Sequence, residues 1–146
     1  MCAILLLLLY VLKERLCYIC VASSGIASLL LSGGHIVHSQ FKIPISINEV
    51  STCNIKKDDP WYKLLHHTSL IIWDEVPMQH KNCIECIDHS LQDLLGIKED
   101  FGNITILFGG DFRQTLPVVF HGSREQIVGA TFCCSQLWQR VHIFHL

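Results

Sequence analysis

The sequence predicts an α/β fold of three layers built on a parallel sheet. Three apolar runs, CYICVA (17–22), SLIIWD (69–74) and ITILF (104–108), are separated by segments of helical spacing, and each is followed by small or acidic residues. Strands that are apolar on both faces belong to a sheet covered on both sides, and strands alternating with helices make that sheet parallel. At 146 residues the chain is about one domain. No repeat, low-complexity tract or linker divides it.

The first element, within MCAILLLLLYVLKERL, reads as an amphipathic or buried helix over 4–15 that ends in Lys13, Glu14 and Arg15. It lacks the basic start and Ala-x-Ala site of a signal peptide, and it is too short to cross a bilayer before those charges. No membrane partner is expected. CYICVA then stops at SSGIAS, where small residues suit a tight turn into a new helix. A less regular insertion, about 33–59, follows. After SLIIWD, the residues Ile84, Ile87, Leu91, Leu94 and Leu95 recur at helical spacing up to Gly96. ITILF is entered through the polar turn KEDFGN and left through Gly109 and Gly110. SQLWQRV (135–141) reads as a short helix, and VHIFHL as the start of one more strand.

Composition narrows the function classes. Eleven Lys and Arg against 13 Asp and Glu give a net charge of -2, so no overall basic field draws the chain to nucleic acid and any such contact is local. Half of the residues are hydrophobic and only 16% are charged, the balance of a piece cut from something larger. The eight cysteines include the pairs Cys17/Cys20 and Cys83/Cys86. Residues three apart on a strand point to opposite faces, and CIEC lies in a helical apolar stripe, so these read as reduced core thiols and no structural zinc is expected.

In open parallel sheets ligands bind at the carboxyl ends of the strands. Three polar clusters fall there: Ser23/Ser24/Gly25, Asp74/Glu75, and Gly110/Asp111/Gln114. An apolar strand ending in Asp-Glu suits a nucleoside-triphosphate site, the Asp holding Mg²⁺ and the Glu orienting the attacking water. Adjacent residues at a strand end point different ways, so one faces the metal and the other the water. The same pair also reads as a solvated strand end or a helix cap. In GGDFRQTLPV the glycines permit close backbone approach and Gln114 offers an amide to a phosphate or water. That segment also reads as a Gly-rich turn ended by Pro117.

SSGIASLLLSGG, HSQFKIPI, IIWDEVPM and GGDFRQTLPVV together, in order and spacing, resemble the PIF-one type of ATP-dependent DNA helicase, above all its helitron-like members. The resemblance runs over about 4–146. It implies a RecA-like motor domain of helicase superfamily one, working with ATP and Mg²⁺ on single-stranded or forked DNA, in DNA repair, recombination and telomere maintenance, in the nucleus or mitochondrion. It implies that Asp74 coordinates Mg²⁺, that Glu75 is the catalytic base, and that Gln114, after Gly110 and Asp111, senses the γ-phosphate. It places Ser23, Ser24 and Gly25 in a block that touches the DNA backbone, and His38, Ser39 and Phe41 in the next block, where an aromatic stacks on a base or packs in the core.

The sequence departs from the family pattern in three places. No GxxxxGK[ST] loop occurs in the chain, whose opening helix corresponds to the one that would follow that loop. The chain stops soon after GGDFRQTLPV, before a second RecA-like domain and its arginine finger. Ile36 stands where relatives commonly carry Thr. The isolated chain is therefore expected to show no DNA-stimulated ATP hydrolysis. A non-enzymatic reading, a transposon-derived remnant that binds DNA or a partner protein, stays open. A switch GTPase does not, since the chain has no guanine-specifying NKxD.

Overall fold

The computed structural model describes residues 17–145, so the opening helix expected over 4–15 lies outside the described residues. Strands β1 (Cys17–Ala22), β2 (His35–Ile36), β3 (Thr68–Asp74) and β4 (Thr105–Phe108) form one sheet in the order β2-β1-β3-β4. All three pairings are parallel. Strand β3 has neighbours on both sides, which satisfies its backbone groups and lets Leu70 to Trp73 be apolar on both faces.

The period of two sorts the side chains into two layers. Ile19, Val21, Ile71 and Trp73 enter the large core with Ile106 and Phe108 packed against it, while Cys20, Leu70 and Ile72 form a second cluster with Tyr18, Leu31 and Leu107. Helices α1 (Gly25–Leu30), α2 (Val37–Gln40), α3 (Pro60–His67), α4 (Lys81–Leu95) and α5 (Arg124–Gly129) complete the secondary structure with several 3₁₀ turns. Helix α4 lays Cys83, Ile84, Cys86, Ile87 and Leu91 into the large core. It ends where Gly96 takes the left-handed conformation at φ 70°, which only a residue without a Cβ adopts freely.

The insertion over 33–59 starts with β2 and α2 and then runs irregularly, anchored by the buried Phe41, Ile43, Cys53 and Ile55. Its backbone is tied to α4 where the Cys53 N–H donates to Ser90 Oγ at 2.7 Å. Near the carboxyl end the short helix is present in 3₁₀ form and the expected strand is not. Gln136–Arg140 is a 3₁₀ turn opened by Ser135, whose Oγ accepts from the Leu137 N–H. Residues 141–145 form no strand, because β propensity is expressed against a partner and no sheet edge pairs with them; Ile143 and Phe144 stay exposed. Among the described residues no helix is long and apolar enough to cross a membrane.

The thiols of the large core are mostly held protonated. Burial pushes the Cys83 thiol up to about 11. The Cys53 and Cys86 thiols share a hydrogen bond across a 3.7 Å Sγ–Sγ contact, which together with burial raises the Cys53 pKa and, against burial, lowers that of Cys86. Among the described residues no three His, Cys, Asp or Glu side chains are grouped to hold a metal ion. Elemental analysis of the reduced protein is expected to find well under one zinc per chain. Stoichiometric zinc that resists a chelator would refute the assignment of these thiols to the core.

Candidate active site

Strand register brings the polar clusters to one edge. Ala22 pairs with Asp74 and Trp73 with Phe108, so Ser23, Glu75 and Gly109 leave the sheet side by side. The hydrogen bonding continues past the strands: the Ser23 N–H donates to the Asp74 carbonyl at 3.1 Å and the Gly109 N–H to the Trp73 carbonyl at 2.8 Å. Val76 N–H donates back to the Gly109 carbonyl at 3.0 Å. The edge is therefore held by backbone, and side-chain positions follow from register.

Glu75 leaves β3 in the left-handed conformation, φ 54° and ψ 38°. A non-glycine residue there is uncommon and concentrates at functional sites. The turn is fixed by the Glu75 N–H, which donates to Asp74 Oδ1 at 2.9 Å. From this turn the Glu75 side chain reaches β1's loop, where Ser24 Oγ donates to Glu75 Oε2 at 2.8 Å. Ser24 is also the N-cap of α1, its Oγ accepting from the Ala27 N–H at 3.2 Å. Both carboxylates are half-buried.

Two residues that the motifs did not single out hold Ser23. Trp73, 1% exposed, donates its indole N–H to Ser23 Oγ at 3.1 Å. Gln79, buried after the Val76–Met78 turn, reaches the Ser23 carbonyl at 3.5 Å. The Trp left a signal in the sequence, because a buried indole N–H needs an acceptor and Ser23 is the nearby small polar residue one strand away. Gln79 left none.

The paired glycines are required by contact. A Cβ at Gly109 would lie 2.8 Å from Asp74 Oδ1, and one at Gly110 would lie 2.4 Å from Pro77 Cδ at φ 146°. Gly110→Ala is expected to lose about 1 to 3 kcal/mol in chemical denaturation, from backbone strain alone. A loss below about 0.5 kcal/mol would mean that the turn accommodates a side chain. Beyond it, Asp111 Oδ1 accepts from the Arg113 N–H at 2.9 Å and the Gln114 N–H donates to the Asp111 carbonyl at 3.1 Å. Asp111 and Gln114 are exposed, and among the described residues the Gln114 side chain makes no hydrogen bond to Asp74 or Glu75.

The structure separates the remaining expected DNA-contact residues. Ser23, Ser24 and exposed Gly25 stand beside the carboxylates. His38 is exposed, with Nε2 3.8 Å from Cys83 Sγ; desolvation by burial lowers its pKa. Phe41 takes the core-packing alternative. It is 1% exposed and packs edge-on against Trp61 with ring centroids 5.8 Å apart, so its ring has no face to offer a base. Its apolar surface is used by the core that anchors the insertion.

A family model described as PIF1-like helicase matches residues 4–146. The chain belongs to the PIF1-like helicase family. It is 30% identical over 120 residues to the ATP-dependent DNA helicase Pif1 of Psychrobacter sp. (strain PRwf-1), covering 80% of this chain and 18% of that protein. Among solved structures, Bacteroides Pif1 bound to ssDNA superposes with a TM-score of 0.76 at 28% identity, covering 90% of this chain and 32% of that one. Pif1 helicase from Bacteroides in complex with ADP-AlF3 and ssDNA gives 0.72 at 29% identity, over 84% and 30%. The PIF1-like chain thus has the RecA-like α/β fold of these domains and spans less than a third of their length.

Proposed function

We propose that this chain carries the metal-binding and water-activating residues of an ATP-dependent DNA helicase. The observation that supports this most is the placement of Asp74 and Glu75 at the carboxyl end of β3, flanked by Ser24 and by Gly109. Asp74 fits Mg²⁺: a half-buried carboxylate is a hard oxygen ligand, and its Oδ1 is oriented by the Glu75 N–H. Bound there with ATP, Mg²⁺ would offset the phosphate charge.

In this reading Glu75 accepts the proton of the water as its oxygen bonds to the γ-phosphorus, the bond to the bridging oxygen breaks, and ADP and phosphate leave. Gln114, on the exposed loop after Gly110 and Asp111, contacts the γ-phosphate. Ser23, Ser24 and Gly25 contact the backbone of single-stranded DNA, and so couple the occupied strand to the carboxylates one strand away. We include in the same proposal roles in DNA repair, recombination and telomere maintenance and a place in the nucleus or mitochondrion, which rest on the sequence resemblance alone.

The test is a chimera in which this chain is joined to a GxxxxGK[ST] segment and a second RecA-like domain from the Bacteroides relative. It is expected to hydrolyse ATP faster with single-stranded DNA and to separate a forked duplex. A folded chimera that binds nucleotide but hydrolyses at the no-protein background overturns the proposal.

A further inference from the structure

The hydroxyl of Ser24 has one proton and two claims on it. As the N-cap of α1 it only accepts, from the Ala27 N–H at 3.2 Å; its proton goes to Glu75 Oε2 at 2.8 Å. A serine hydroxyl donates once. The function proposed above asks the same proton to reach a DNA phosphate and asks Glu75 to take a proton from water. The first cannot hold while the Ser24–Glu75 bond exists, and for the second Glu75 has only the lone pairs that Ser24 leaves free.

We propose that Ser24 is a positioning residue that restrains Glu75 when DNA is absent and releases it when a backbone phosphate takes the Ser24 proton. The inference rests on Glu75 being the general base and on Ser24 meeting DNA. No covalent bond changes; one hydrogen bond is exchanged for another. A carboxylate oxygen that is accepting a hydrogen bond has that lone pair engaged and is held toward its donor. The Glu75 backbone is fixed on either side of the exchange, by its left-handed turn and by the 2.9 Å bond from its N–H to Asp74 Oδ1. Only side-chain rotation carries the carboxylate from Ser24 to water.

Neighbouring Ser23 differs in kind. Its Oγ accepts from the Trp73 indole, and among the described residues its own proton has no acceptor. It can meet a phosphate without disturbing Glu75. Coupling therefore belongs to Ser24.

Single-turnover hydrolysis in the chimera, with and without single-stranded DNA, tests this in Ser24→Ala, Ser24→Asp and Ser24→Thr. Ala and Asp both remove the donor, but Asp keeps an N-cap acceptor. Both are expected to raise the DNA-free rate by about 5-fold or more and to shrink the stimulation by DNA to match, the scale of ordinary coupling between sites. Thr, with its hydroxyl, restores DNA dependence. An unchanged or lower DNA-free rate in both Ala and Asp overturns the proposal, as does an effect in Ala that Asp abolishes, which marks a cap alone. Glu75→Gln in the same chimera separates the two levels: hydrolysis at the parental rate there refutes the general-base reading itself. On the 146-residue chain, the Glu75 side-chain carboxyl resonance is expected to move on adding a single-stranded oligonucleotide, and to move much less in Ser24→Ala. No movement at saturating DNA also refutes the switch.

Discussion

Glu75→Gln is expected to slow ATP hydrolysis by about 10² to 10⁴ in the chimera while leaving nucleotide and single-stranded DNA binding near parental values, because it removes a positioned proton acceptor and keeps shape and polarity. The amide still accepts from Ser24 Oγ, which now donates to a neutral oxygen. The left-handed turn is carried by the Glu75 backbone N–H and Asp74, so it is untouched by the substitution. Asp74→Asn separates the roles of the pair. It replaces a hard anionic ligand by a neutral amide and is expected to weaken Mg-nucleotide binding together with turnover. Single-turnover hydrolysis and nucleotide titration of both variants make the comparison. A Glu75→Gln chimera at the parental rate would remove Glu75 from the chemistry, whatever its place at the strand end.

The elements that could be read from the sequence are those specified by local pattern. The runs at 17–22, 69–74 and 104–108 became strands to within a residue, and Gly96 ends α4 as expected. What could not be read depends on partners distant in sequence. Helix α3 follows a polar stretch and is set by Asp59, whose Oδ1 accepts from the Trp61 N–H, and by Pro60 at its first position, signals too short to outweigh the irregular insertion before them. The residues at 141–145 include strand formers but, among the described residues, meet no sheet edge. HSQFKIPI shows an aromatic among polar residues, and only the fold reveals that Phe41 lies against Trp61.

The site divides along the same line. Asp74, Glu75, Ser23 and Ser24 are legible as strand-end residues, and the parallel order puts them on one edge. The contact between Ser24 and Glu75, 51 positions apart, needs both the β1–β3 register and the left-handed turn at Glu75. A period of two predicts neither of these.

Trp73→Ala is expected to lose about 3 to 5 kcal/mol of stability, the range for removing a large aromatic from a packed core. Trp73 is among the largest fully buried side chains, and its ring lies 5.9 Å from that of Phe108 on the neighbouring strand. A domain holds only about 5 to 15 kcal/mol in total, so the variant stands close to the unfolding threshold. Trp73→Phe is the sharper probe. It keeps an aromatic ring in the core but removes the indole N–H that Ser23 Oγ accepts, a bond worth about 1 kcal/mol net. The smaller ring adds the cost of an imperfectly filled space, so a loss well below that of Trp73→Ala is expected. Urea denaturation followed by circular dichroism measures both without relying on Trp fluorescence. A Trp73→Ala loss under about 1 kcal/mol would mean that the core closes over the missing ring. If Trp73→Phe matched Trp73→Ala, the hydrogen bond to Ser23 would outweigh the packing, and the strand ends would be held together chiefly by that one contact between core and site.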